Sequence, residues 1–158
     1  EPMGVYSKKI KDLKDIEDGA QVAIPSDATN GGRALLLLSK AGLITLNDPN
    51  SISATVQDIK DNPKHLKFVE LEAAQLPRAL DDSTISVINT NFALGANLNP
   101  TKDALFLESK DSPYVNIVSV REGDEKRDEI VKLVKALQSP EIKKFIEDKY
   151  KGAILPAF

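Results

Sequence analysis

Short apolar runs alternate with helical patterns along the first two thirds of the chain. The runs are rich in β-branched residues, and they indicate strands at MGVYS, QVAIP, KFVEL, TISVIN, ALFLE and VNIVSV. Helical patterns lie between them at residues 30–41, 73–80 and 90–96. This alternation predicts an α/β layer fold with a largely parallel sheet.

The last third of the chain has the pattern of two amphipathic helices. In the first, apolar residues recur at helical spacing: Ile130, Leu133, Val134 and Leu137. The second follows at once, with Ser139 as its N-cap, Pro140 in its first turn and an end near residues 151–152. We expect both helices to pack on a sheet.

Composition excludes several classes of function. With 158 residues, 41% apolar and 28% charged, the chain falls in the ordinary globular range. A net charge of -3 and a pI near 5.3 offer no basic surface for nucleic acid. The chain has no cysteine, and its one histidine, His65, lies in a turn-like stretch where we expect it to be exposed and idle. We therefore predict no metal site, no cofactor and no nucleic-acid partner.

The sequence also bears on membrane association. No apolar stretch approaches the ~20 residues that span a bilayer, and the first residues do not resemble a signal peptide. The chain begins on Glu1 and Pro2 without an initiator methionine. We interpret it as a piece of a longer polypeptide, with any targeting signals upstream.

The segment SDATNGGR, residues 26–33, is the strongest candidate for a ligand site. It joins a predicted strand to a leucine-rich helix, and ligands of open α/β sheets bind at such junctions. Two glycines and the free N–H groups of a helix start favour an anion. Arg33 can hold a carboxylate with two parallel hydrogen bonds, and Asn30 adds a neutral polar group. Phosphate-loop and dinucleotide-binding motifs are both missing from this segment.

The same segment has a purely structural interpretation. Asp27 or Thr29 would cap the helix, the glycines would relieve a tight turn, and Arg33 would be a surface arginine. The segment alone leaves these two interpretations equal.

Two further asparagines favour the ligand site. Asn89 ends a predicted strand in VINTN, and Asn116 starts another in SPYVN. An asparagine offers donors and an acceptor, which suit the ammonium and carboxylate of a free amino acid. Other carboxylates that could form a catalytic pair are better explained as solvated or helix-end acids: Glu70, Glu72, Asp81 and Asp82.

A set of ordered motifs covers the whole chain: PMGVYSKKIK, VAIPSDATNGGRALLLL, VELEAAQLPRALDD, VINTNFA, LNPTKDAL, SPYVN and YKGAILPAF. Together they closely resemble the NlpA-type methionine-binding lipoproteins, the substrate-binding proteins of methionine ABC importers. The resemblance implies an α/β fold of the class II periplasmic-binding-protein type, in which two lobes enclose an amino acid in a cleft.

The resemblance covers only the later part of that fold. It implies that residues 1–7 cross into the second lobe, that residues 8–112 build this lobe, and that residues 113–158 return to complete the first lobe. The earlier strands of the first lobe would be absent from this chain. Apolar surface would then be exposed, and self-association of the chain is a hypothesis that follows.

By position in the motifs, Arg33 resembles the family's carboxylate-binding arginine. Asn30, Asn89 and Asn116 resemble its polar ligand contacts, and Tyr6, near the crossover, is a further candidate. The loop reads SDATN where the family commonly has NDPTN, a departure that leaves Asn30 and Arg33 in place.

The resemblance implies capture and delivery without catalysis. The protein would bind methionine, or a small methionine-containing peptide, and hand it to a membrane permease at the extracytoplasmic face of the cell membrane. A lipidated cysteine upstream of this segment would anchor it there. The alternative is a ligand-sensing effector domain of a regulator with the same two-lobed fold, and an enzyme ranks third.

Overall fold

The computed structural model describes residues 1–110 and 112–158 of the chain. Its strands are β1 (Gly4–Tyr6), β2 (Gln21–Pro25), β3 (Thr45–Leu46), β4 (Ile59–Asp61), β5 (Lys67–Leu71), β6 (Ile85–Ile88) and β7 (Ala104–Leu107). Its α-helices are α1 (Ala28–Lys40), α2 (Leu76–Ala79), α3 (Thr90–Gly95), α4 (Pro100–Asp103), α5 (Asp128–Leu137) and α6 (Pro140–Tyr150). Single 3-10 turns lie at Leu13–Asp15, Val56–Asp58 and Ala73–Gln75.

Five strands form one central sheet in the order β5, β2, β6, β1, β7. Strand β2 pairs in parallel with β5 and β6, whereas β1 pairs antiparallel with β6 and β7. The prediction of a largely parallel sheet is therefore wrong, because two of these four pairings are antiparallel. Apolar runs reveal that a strand is buried, but the direction of a strand depends on the connections between strands. The short β3–β4 pair was not predicted.

The sheet is the middle of three layers. One face packs against α1, whose buried side chains join those of Val5, Val22, Ile24 and Val87 in the larger core cluster. The opposite face packs against α2 and α3, through Tyr6, Ala23 and Ile88. Side chains of successive strand residues point to opposite faces, so each short strand contributes to both clusters.

The predicted strand VNIVSV does not form. Residues 113–120 have no regular structure, and Val115 is 50% and Ile117 77% exposed. A strand is stable only when a neighbour accepts its backbone hydrogen bonds, and none of the described strands lies beside this segment.

Helices α5 and α6 form where they were predicted. The Ser139 hydroxyl caps α6 by accepting a hydrogen bond from the Ile142 N–H at 3.3 Å, and Lys151 and Gly152 end it with positive φ angles of 48° and 91°. Neither helix has a buried residue, however, and large apolar side chains remain exposed on both: Val131, Leu133, Leu137 and Phe145. The expected packing on a sheet is absent from the described part of this chain.

Gly31 and Gly32 lie within the first turns of α1, both buried. A Cβ atom at Gly31 would approach the Pro25 carbonyl oxygen to 3.0 Å, and one at Gly32 would approach the Ile52 carbonyl oxygen to 2.8 Å. The glycines therefore let α1 pack closely against β2 and against the loop at residues 52–54. The close approach that the sequence suggested for an anion is made here by the chain's own backbone.

Replacing Gly32 by alanine should destabilise the fold. The new methyl group has no free space and must push the backbone at Ile52, so we expect a loss of about 1–3 kcal/mol in the free energy of unfolding. The matched control is Gly95→Ala, because a Cβ atom at that helical glycine meets nothing within 4 Å. Urea denaturation measures both, and equal stability of the two variants would contradict the packing role of Gly32.

Candidate functional site

The first turn of α1 is held by Asp27. Its Oδ1 accepts a hydrogen bond from the Asn30 N–H at 2.9 Å, which makes it the N-cap that the structural interpretation predicted. The Asn30 side-chain amide also donates to both carboxylate oxygens of Asp27, at 3.1 Å each. These bonds fix the direction of the Asn30 side chain and leave its carbonyl oxygen facing β6.

Asn30 and Asn89 meet directly. The side-chain amide of Asn89 donates to the Asn30 Oδ1 at 2.8 Å. The contact follows from the topology, because β2 and β6 are parallel neighbours and their carboxyl ends lie at the same edge of the sheet. The Oδ1 atom of Asn89 is buried and has no hydrogen-bond partner among the described residues. The junction therefore presents one unused acceptor.

Arg33 lies one turn further along α1 and is paired with Glu108. Its Nε donates to the two carboxylate oxygens at 3.0 and 3.1 Å, and its Nη2 donates to Glu108 and, at 2.8 Å, to the Glu1 carbonyl oxygen. The side chain is only 12% exposed, so Arg33 is not the surface arginine of the structural interpretation. None of the described residues accepts a hydrogen bond from Nη1. Glu108 and the Glu1 carbonyl thus occupy Nε and Nη2, and Nη1 is the guanidinium nitrogen left without an acceptor among the described residues.

Glu108 is buried and ionised. Burial raises its pKa, but hydrogen bonds from Arg33, the Met3 N–H and the Ser112 hydroxyl, together with the charge of Arg33, outweigh burial and hold the pKa below its usual value. The Met3 and Ser112 bonds measure 2.9 and 2.7 Å. The carboxylate therefore neutralises Arg33 at neutral pH.

Tyr114 covers one face of the Arg33 guanidinium. The central guanidinium carbon lies 4.9 Å from the centroid of the ring, a cation–π contact. Burial raises the pKa of Tyr114, although the charge of Arg33 opposes the rise. Its hydroxyl is buried without a partner among the described residues. Sequence reasoning missed both Tyr114 and Glu108; the available signals were a carboxylate at the end of the apolar run ALFL and a tyrosine two residues before Asn116.

Asn116 is exposed and lies apart from the other asparagines. It borders a cleft of about 250 Å³ that also includes Glu1, Pro2 and the tail residues 154–158. Glu108 and Tyr114 border this cleft and also a smaller one of about 110 Å³, to which Arg33 belongs. No hydrogen bond between described side chains joins Asn116 to Asn30, Arg33 or Asn89.

Tyr6 belongs to the core. It is 1% exposed and lies in the cluster on the sheet face away from α1. Its ring folds back over Gly4, where a Cβ atom would come within 2.8 Å of it. Burial, with a contribution from the charge of Asp103, raises the pKa of Tyr6 to about 12. The structure does not bring Tyr6 into contact with Arg33, and its role as a ligand contact stays a prediction.

The structure also bears on His65, on metal binding and on membrane-spanning helices. His65 is exposed as expected, and its Nδ1 lies 2.7 Å from the Asp18 carboxylate. Across residues 1–110 and 112–158, no group of three or more His, Cys, Asp or Glu side chains is arranged to hold a metal ion. Within the same residues, no helix is long and apolar enough to cross a membrane.

Comparison with known proteins gives a family match over the full chain. The family described as "NlpA lipoprotein" matches residues 1–158. The D-methionine-binding lipoprotein MetQ of Salmonella typhi is 54% identical over 143 residues, which cover 89% of this chain and 53% of that protein. The chain therefore spans about half the length of the curated relatives it matches.

Solved structures match the fold closely. A nutrient-binding protein from Burkholderia cenocepacia, solved bound to methionine, is 54% identical with a TM-score of 0.93, over 99% of this chain and 66% of that one. A periplasmic substrate-binding protein of an ABC transporter from Coxiella burnetii is 49% identical with the same TM-score of 0.93, over 99% and 66% of the two chains. These matches confirm the predicted periplasmic-binding-protein-like α/β fold.

Acid should weaken the fold by protonating Glu108. Because its pKa in the folded protein lies below the ordinary value of 4.5, its ionised form contributes stability that is fully present above pH 4.5 and is lost as the pH falls through the lower folded value. We expect the stability difference between wild type and Glu108→Gln to shrink over that range. Urea denaturation at a series of acidic pH values measures this difference, and a difference that grew with acid would contradict the assignment.

Proposed function

The chain belongs to the NlpA lipoprotein family, and from this membership we propose that it forms the second lobe and the return segment of a substrate-binding protein that captures methionine for an ABC importer. In this proposal residues 1–7 cross into the second lobe and residues 8–112 build it. The chain then crosses back, and residues 113–158 complete the first lobe. The ligand lies between the lobes and makes no covalent bond.

The observation that carries the proposal is the polar junction at the ends of β2 and β6. Asn89 presents a buried carbonyl oxygen without a partner among the described residues, and Arg33 presents an Nη1 group without an acceptor among them. An amino acid carries one donor group and one acceptor group, its ammonium and its carboxylate. We propose that these two groups act as the complementary pair, Arg33 for the carboxylate and Asn89 for the ammonium, and that Asn116 approaches from the returning segment.

Methionine is proposed as the ligand because of the named relatives. One relative is named for binding D-methionine, and one matched structure was solved with methionine bound. The carboxylate and ammonium are common to all free amino acids, so Arg33 and the asparagines would recognise the amino acid itself. The side-chain pocket would be completed by residues outside this chain.

Capture and handover are proposed to take place outside the cytoplasm. Relatives are named lipoproteins, and a matched structure is named as a periplasmic substrate-binding protein. A lipid anchor upstream of this segment would hold the protein at the outer face of the cell membrane, beside its permease. Hinge closure at the crossing segments would bury the ligand until the permease opens the cleft.

The chain on its own should self-associate. Its C-terminal third exposes large apolar side chains, among them Ile117 at 77% and Phe145 at 51%, and such surface is usually covered by another element. Sedimentation of residues 1–158 should show a mass that rises with concentration. The control is the same protein with its upstream segment restored, which should stay monomeric; a strictly monomeric short chain would contradict the expectation.

Replacing Arg33 by alanine should weaken methionine binding by roughly 2–5 kcal/mol, the usual loss when one partner of a buried charge pair is removed. Calorimetry on the protein with its upstream segment restored measures the dissociation constant. Because the change also leaves Glu108 unpaired, a thermal melt must show that the variant is folded at the assay temperature.

The matched control for this experiment is Asp81→Asn. It breaks the exposed ion pair between Lys8 and Asp81, which measures 2.6 Å, and should leave methionine binding unchanged. An Arg33→Ala protein that is folded and binds methionine as tightly as the control would remove Arg33 from the site.

A further inference from the structure

Glu108 is the one charged side chain that is buried among the described residues, with 8% of its surface exposed. Its carboxylate accepts hydrogen bonds from Arg33, from the Met3 N–H at 2.9 Å and from the Ser112 hydroxyl at 2.7 Å. A carboxylate is tolerated in such a place only when it is paired and its oxygens are hydrogen-bonded. Its location is therefore a strong structural constraint on the three segments that surround it.

Two of those segments are the beginning of the chain and the stretch that leaves β7. Met3 and Glu108 exchange two hydrogen bonds, since the Glu108 N–H also donates to the Met3 carbonyl oxygen at 2.9 Å. Arg33 adds a bond from its Nη2 to the Glu1 carbonyl oxygen at 2.8 Å. Met3 and Glu108 thus lie side by side, and the Glu108 carboxylate bonds Met3 to Arg33 of α1.

The same carboxylate restrains the Arg33 guanidinium. Glu108 holds its Nε edge, and the ring of Tyr114 lies 4.9 Å from its central carbon on one face. Arginine loses considerable rotamer freedom when it is ordered, so a guanidinium that is already held loses less of it when a ligand binds. The orientation of the guanidinium, including Nη1, is thus fixed before any ligand binds.

From these contacts we propose that Glu108 is a positioning residue of the ligand site: it aims Arg33 at the ligand carboxylate and links that arginine to both segments that cross between the lobes. The inference rests on the proposed function, because it requires a ligand carboxylate at Arg33. Glu108 itself does not touch the ligand and acts through Arg33.

A double-mutant cycle tests this role in the protein with its upstream segment restored. Calorimetry with methionine compares wild type, Glu108→Gln, Arg33→Ala and the double variant, with Asp81→Asn as the exposed carboxylate control. We expect Glu108→Gln to weaken binding on the order of tenfold. The double variant should bind no more weakly than Arg33→Ala alone, since Glu108 has nothing to position once the guanidinium is gone.

Each other result overturns a specific statement. Losses that add in the double variant, or a Glu108→Gln protein that binds as tightly as the control, would overturn the positioning role. If Glu108→Gln does not fold, Ser112→Ala replaces it: this change removes one hydrogen bond to Glu108, keeps its charge and should weaken binding roughly two- to fivefold. An unchanged dissociation constant for Ser112→Ala would then overturn the inference.

A different result would contradict the proposed function itself. A wild-type protein that takes up no methionine would overturn both the function and the inference built on it, before any variant is compared.

Discussion

The ion pair between Arg33 and Glu108 is the interaction on which the arrangement of the site depends. A buried charge without a partner is costly, so the two side chains must stay together wherever the backbone permits it. Arg33 lies on α1, whereas Glu108 lies just after β7, at the far edge of the sheet from β5. Their pairing places the end of β7 and the residues before β1 against α1. Both segments meet α1 at Arg33, whereas residues 26–29 at the start of this helix stay exposed.

In the C-terminal third, by contrast, large apolar side chains stay exposed among the described residues. Helices α5 and α6 form because their helical periodicity, and in α6 the Ser139 cap, act locally. Strand formation at residues 115–120 needs a neighbouring strand, and none of the described strands is placed beside it. Within this one stretch of chain, the helices form because they need only local interactions. The strand does not form because it needs a neighbouring strand.

The same distinction between local and non-local interactions explains which features the sequence could predict. The bounds of β2 and β5 coincide with the runs QVAIP and KFVEL. Strand β2 is buried along four of its five residues, and β5, at the sheet edge, is only partly buried but still rich in apolar residues. The meeting of Asn30 and Asn89 was within reach, since each follows a predicted strand and the ends of parallel strands lie at one edge of a sheet. The pairing of Arg33 with Glu108 could not be predicted from the sequence, because 75 residues separate the two. The position of β7 in the sheet also depends on its antiparallel pairing with β1. The role of Gly32 was misjudged for a similar reason, as the loop at Ile52 that requires it is distant in sequence.

The charges of the site have a consequence for the kind of ligand it suits. Glu108 neutralises Arg33, so an incoming carboxylate meets a polar pair of zero net charge, and the attraction for a simple anion is weak. On the other side, the Asn30 amide is already bonded to the Asp27 carboxylate, and the Asn89 Oδ1 atom has no partner among the described residues. In the proposed function a zwitterion would suit this site, because its carboxylate would meet the Nη1 group of Arg33 and its ammonium the Asn89 oxygen. In the proposed function, discrimination of a free amino acid from an ordinary carboxylic acid therefore comes from a balance of charge at the junction, and the pairing of Arg33 with Glu108 is what sets that balance.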